Sequence, residues 1–203
     1  MFGLPKSTEI NKPLPKKAVF DKFKLNANDR KLFDDQISRL AIVSEISPQT
    51  VSIAASEDVP AIYIILVTLK VADCDKKNIA LLSKLIDQRM LFALQYEDSM
   101  RFAVYRAERV LMSDSKRLND WELNLRGLGL GAVWENIIAD FAGINLTGAK
   151  GLDESIIANE RKEKLTKQIA TLEKKAMDER QPRFKWELVQ QIKKLKSELE
   201  GLQ

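Results

Sequence analysis

Lys70 stands near the end of the most apolar stretch of the chain, Ala61 to Val71, and it is the residue whose type and place could do chemistry. A strand ending in a lysine, with two carboxylates brought beside it, is the core of a restriction-type nuclease. The acids hold a divalent metal and the lysine orients or activates the attacking water. Two positions before Lys70, where that pattern needs a carboxylate, stands Thr68, so Glu57 and Asp58, with Glu45, could supply acids only through an unusual geometry. The simpler reading of Lys70 is a charge at a strand end. Composition removes most other catalytic classes. The 203 residues include no His and one Cys, Cys74. That excludes a Ser-His-Asp triad, a Cys-His pair and a His-ligated zinc site. A single thiol makes no disulfide within the chain and suits a reducing compartment.

Two further motifs read as structure. Asp73, Cys74 and Asp75 precede a helical pattern, where a carboxylate accepts from free N–H groups and suits the helix dipole. Gly127, Gly129 and Gly131 form a G-L-G-L-G bend that lacks the Lys and Ser or Thr of a phosphate loop, and no Walker loop or dinucleotide fingerprint occurs elsewhere. The sequence therefore predicts no metal site and no cofactor.

The elements that would position these residues follow from periodicity. Asn28 reads as the cap of a helix over Asp29 to Val43, and Ser47 and Pro48 mark a turn before a strand at Thr50 to Ala55. Ala61 to Val71 shows no alternation over its first seven residues, as expected for a central strand covered on both faces. Asp75 caps a second helix that ends near Asp87. Met90 to Tyr96 and Met100 to Ala107 form a hairpin, and a further strand is expected at Trp121 to Leu125. A third helix carries Val133, Trp134, Ile137, Ile138 and Phe141 and stops at Gly143. The fold class is α/β (α+β), with a mixed sheet of about five strands flanked by helices. No stretch approaches the roughly 20 apolar residues of a membrane span, and no signal peptide is evident, so a cytoplasmic protein is expected.

The net charge of +4 is unevenly placed. Residues 1–24 hold Lys6, Lys12, Lys16, Lys17, Lys22 and Lys24 against two acids, with Pro5, Pro13 and Pro15 forbidding one continuous helix. This basic arm is a tether docked through its apolar residues, a nucleic-acid contact whose lysines meet phosphates, or a protein-binding segment. Residues 25–149 are mildly acidic and form the globular domain. Residues 150–203 are basic again. There Leu165, Ile169, Leu172 and Ala176, then Leu188, Ile192, Leu195, Leu199 and Leu202, repeat at heptad spacing on either side of Pro182. Two halves of about 20 residues fold back as an antiparallel helical hairpin, a coiled coil of roughly 30 Å. The hairpin either satisfies its own seam and stabilises the domain or, because an isolated two-helix seam buries little, pairs with a further chain. On the second reading, which is preferred, Leu165, Ile169, Leu172, Leu188, Ile192, Leu195 and Leu199 are the expected protein-binding residues, for another chain or a second copy.

Several segments together resemble a known family. FGLPKSTEINKPLPKKAVFDKF, the strand IYIILVTLK, the pair MLFALQYEDSMRFAVYR, the helix VWENIIADFAG and the two-part tail look like the bacterial domain-of-unknown-function family numbered four thousand three hundred and ninety-one. Members of that family are often encoded beside DNA methyltransferases and helicase-type subunits resembling type III restriction systems. The resemblance implies a small accessory component of a DNA-modification or anti-phage system, bound to a methyltransferase or helicase subunit, and carries over no catalytic residue.

Overall fold

A computed structural model describes residues 1–144 and 151–201. The expected domain boundary at 149/150 and the seam residue Leu202 lie outside them. The chain divides into two compact units, residues 1–145 and 146–203.

The first unit is a seven-stranded mixed sheet with helices on its faces. In chain order it contains β1 (Glu9–Pro13), α1 (Lys16–Phe23), α2 (Ala27–Gln36), β2 (Ile37–Ile46), β3 (Ile62–Leu69), α3 (Lys76–Leu82), β4 (Arg89–Tyr96), β5 (Ser99–Arg106), β6 (Arg109–Met112), β7 (Lys116–Arg117) and α4 (Leu130–Ala142). The strand order is β1-β2-β3-β4-β5-β6, with β7 also pairing β5. All pairs are antiparallel except β3 and β4, which run parallel because α3 carries the chain back between them.

Alternation sorts the core onto two faces. Ile65, Val67 and Leu69 of β3, Met90, Phe92 and Leu94 of β4, and Ala103 of β5 point to one side, where Val19 of α1, Phe33 of α2, and Ile79 and Leu82 of α3 cover them. Phe102 of β5 faces the other side. It meets Phe2, Trp121 and Phe141 of α4 at ring-centroid distances of 5.3, 4.8 and 6.2 Å, the first two edge to face. Trp121 is fixed further by its Nε1, which donates to the Met100 carbonyl at 2.9 Å. β3, as expected, is an interior strand.

Several local expectations are corrected. The helix expected over Asp29 to Val43 ends at Gln36, and the rest becomes β2. Ile37, Leu40 and Ala41 fit a helical stripe, but Leu40, Ile42, Ser44 and Ile46 are buried in strict alternation, and a buried Ser44 disguises that pattern. The cap is Asn26, whose side chain accepts from the Asp29 N–H, rather than Asn28. Thr50 to Ala55 is irregular, with a single bridge from Ala54 to Gly129. Trp121 to Leu125 is not a strand, although Trp121 and Leu123 are buried and the Leu123 N–H donates to the Phe2 carbonyl. The second helix stops at Leu82, well short of Asp87. Asp75 caps it and Gly143 ends α4 in the left-handed conformation, both as expected. The glycine bend is a packing device. A Cβ on Gly127, whose φ is +144°, would fall 2.8 Å from Ala132 Cβ, and one on Gly131 would fall 2.9 Å from Ser56 Oγ.

The second unit is α5 (Leu152–Asp178) and α6 (Pro182–Glu200), joined by three residues. So short a link forces an antiparallel hairpin, and Pro182 supplies the fixed φ suited to the first helical position.

Candidate partner-binding site

The heptad residues of α5 and α6 meet one another first. Ile169, Ala176 and Ile192 are buried together, and Leu172, Leu188, Leu195 and Leu199 pack against them. Leu165 is buried as well. Across the hairpin, Arg161 donates from Nε and Nη2 to Glu198 Oε1 at 3.0 and 2.6 Å, and Lys196 pairs with Glu173 at 2.8 Å. The expected partner-binding residues therefore sit in a seam the hairpin closes on itself. Leu172 and Leu195, though packed in the seam, also reach its open side. They line an open groove of about 410 Å³ walled by Lys167, Gln168 and Thr171.

Other apolar side chains are left outside the seam. Met177 in the last turn of α5 is 80% exposed, and Phe184 and Trp186 in the first two turns of α6 are 50% and 63% exposed. Val189, one turn beyond Trp186, is also exposed. Around them stand the exposed cations Lys174, Lys175, Arg180, Arg183 and Lys185, with Arg183 loosely held by Glu187 at 3.4 Å. Of the nearby acids, Glu179 is occupied by the Gln181 N–H at 2.7 Å. Aromatic, Met and Arg side chains are the types that anchor protein interfaces. Sequence periodicity points away from these residues because it scores the seam. The readable signal is the run Arg183-Phe184-Lys185-Trp186, apolar at alternate positions of a helix where no seam needs it.

The lysines of the first 24 residues are spread over three elements. Lys6 lies in a 3-10 turn, Lys12 in β1, Lys16, Lys17 and Lys22 in α1, and Lys24 at its left-handed C-terminus. Phe2, Leu4 and Val19 of the same segment are buried. Lys16 Nζ donates to Asp34 at 2.9 Å, and Lys22 Nζ to the Leu85 carbonyl at 2.6 Å while lying 5.7 Å from the Phe23 ring. Lys6, Lys12, Lys17 and Lys24 are exposed.

The nuclease-type residues are not brought together. Glu57 and Asp58 lie in the turn closed by Ser56 and Val59, before β3, whereas Lys70 follows its far end. Eight residues of strand, at about 3.3 Å each, separate them by roughly 26 Å. Lys70 instead closes the end of α2. Its Nζ donates to the Asp34 carbonyl at 2.6 Å and its N–H to the Gln36 carbonyl at 2.8 Å. Among the described residues no group of three or more Asp, Glu, Cys or His could hold a metal ion, and no helix is long and apolar enough to cross a membrane.

Compared with known proteins, the chain matches one family model, Domain of unknown function (DUF4391), over residues 2–199, so it belongs to that family. No curated protein and no solved structure matches it.

Proposed function

We propose that this family member is a non-catalytic, cytoplasmic accessory subunit of a bacterial DNA-modification or anti-phage system, docked on a larger methyltransferase or helicase subunit through its C-terminal hairpin. The observation that carries the docking reading is the set Met177, Phe184 and Trp186, exposed at the hairpin tip after the seam has closed. The cations around them match a partner surface with an acidic rim, which steers encounter and fixes orientation. A separate open groove over Leu172 and Leu195, further along the hairpin, has room for side chains of a third helix. The accessory role within a DNA-modification system follows the family resemblance, and the separation of Lys70 from Glu57 and Asp58 favours a part without its own chemistry.

The test reconstitutes the chain with a methyltransferase and a helicase subunit of the kind encoded beside members of the family, taken from its own host, in parallel with the triple variant Met177→Ser, Phe184→Ser, Trp186→Ser. The expected result is a stable complex with one of these subunits that the triple variant loses while keeping its helical content. A complex that survives the triple change overturns docking through the tip. Absence of a complex with either subunit overturns the assignment to this kind of system.

A further inference from the structure

At the start of β4, remote in sequence from the hairpin, the chain builds a cleft of about 220 Å³. Lys84 and Gln88 reach it from the link between α3 and β4, Arg89 from the first position of β4, Tyr105 and Arg106 from the end of β5, and Trp134 from α4. Trp134 is 2% exposed, yet its Nε1 has no hydrogen-bond partner. Native structures rarely leave a buried donor in that state, and the buried indole of Trp121 does not. Gln88 Oε1 is buried in the same lining, also without a partner. A half-turn of that amide exchanges its oxygen for an NH₂ group, so the side chain serves equally as a donor. Lys84 and Arg89 are exposed. Arg106 is held by Glu135 at 3.5 Å, and no carboxylate is among the described residues that line the cleft.

The donors and charges narrow the occupant. The volume is below the roughly 300 Å³ at which sites for drug-sized molecules begin, which limits the guest to a small group or one end of a larger molecule. Two lysine or arginine charges match a dianion. The donors are carried on separate elements, α4, the α3–β4 link and the start of β4, an arrangement that suits a tetrahedral oxyanion better than a planar carboxylate. We propose that this cleft binds a phosphate group, either as free phosphate or at the end of a phosphomonoester, with the Trp134 indole N–H and the Gln88 amide donating to it and Lys84 and Arg89 balancing its charge.

The experiment follows the indole N–H signals of the ¹⁵N-labelled full chain during titration with inorganic phosphate and, separately, with adenosine 5′-monophosphate at constant ionic strength. The Trp186→Phe variant removes one of the three indole signals. Trp121, bonded to Met100, is distinguished from Trp134 by nuclear Overhauser contacts with the Phe102 ring, 4.8 Å away between centroids. The expected result is a saturable movement of the Trp134 signal that the double variant Lys84→Ala, Arg89→Ala shifts to at least about tenfold higher ligand concentration. Tighter binding of phosphate identifies the free ion, and tighter binding of the monophosphate identifies the ester. A Trp134 signal unmoved by both, or one that moves at unchanged concentration in the double variant, overturns the assignment.

Discussion

Ile192 is turned into the hairpin seam and Trp186, six residues earlier on the same helix, is turned out of it: the first is 8% exposed and the second 63%. Six residues are 600° of α-helix, which leaves the two about a third of a turn apart. The same 19-residue helix therefore holds its hairpin together with one face and offers the other.

The two residues should separate in a stability measurement. Ile192→Ala removes buried methyl groups from a small core and should cost about 2–4 kcal/mol of hairpin stability, whereas Trp186→Ala should change it by less than about 0.5 kcal/mol. Urea unfolding followed by far-ultraviolet circular dichroism checks both. Equal losses would place Trp186 in the seam. The contrast also decides which variants can probe partner binding, since charges placed at Ile192 and Leu195 would melt the hairpin before they tested its surface.

Helical periodicity showed the hairpin in the sequence because one repeat, leucine and isoleucine at intervals of three and four, persists through both helices. The sheet was only partly legible. β3 and β4 announce themselves as apolar runs, since strands covered on both faces need no alternation. β2 was hidden because α2 passes into it with no intervening turn, Ile37 serving both as the cap of one and the first residue of the other. β1 was hidden for a different reason. With Asn11, Lys12 and Pro13 in its five residues, it is an edge strand whose composition discourages pairing on its outer side, and nothing local marks it as a strand. The candidate site was less legible still. Exposure is a tertiary property, and no repeat distinguishes Trp186 from a core residue until the fold has assigned every seam position.

The β5–β6 turn explains why β6 was also missed, and it yields a stabilising substitution. Arg106 pairs with Arg109, so Ala107 and Glu108 form a two-residue loop, and both have positive φ, 50° and 60°. That is the conformation in which Asn-Gly or Asp-Gly is preferred, because a Cβ is strained there. Glu108→Gly should raise stability by about 0.5–1 kcal/mol, seen as a higher urea midpoint with unchanged slope. A lower midpoint would mean that the Glu108 side chain contributes more than its backbone costs.

Cys74 gives the unit a pH dependence of known sign. Burial pushes the thiol up from 9.0 to about 11, with the Asp75 carboxylate acting in the same direction and a hydrogen bond involving Asn78 opposing. Between those values the unfolded chain has released the proton and the native chain still binds it. Stability contributed by the buried neutral thiol is therefore complete below pH 9 and falls as the pH rises towards 11, by at most about 2–3 kcal/mol. Urea midpoints at pH 8.5 and 10.5 should drop further for the parent than for Cys74→Ala. In the native state at pH 8, thiol reagents should react with Cys74 only at the rate of local opening.

Gln36 ties the end of α2 to the start of α3, and its removal should be felt at a distance. Its Oε1 accepts from the Asp75 N–H at 2.8 Å and from Asn78 Nδ2 at 2.9 Å, and Asn78 is 3% exposed. Its carbonyl accepts from the Lys70 N–H, so one residue receives bonds from the end of β3 and from the first turn of α3. Gln36→Leu keeps the backbone bond and much of the volume but strands the two side-chain donors, at a cost of about 1–3 kcal/mol. Gln36→Glu retains an acceptor at the same place and should recover most of that loss above the carboxylate range, then lose part of it on acidification. Amide hydrogen exchange distinguishes this from a general loosening. Protection should fall first at Asp75 and Lys77 in the leucine variant, while the β3–β4 ladder stays protected, because the bonds removed belong to the junction of α2 with α3 and not to the sheet.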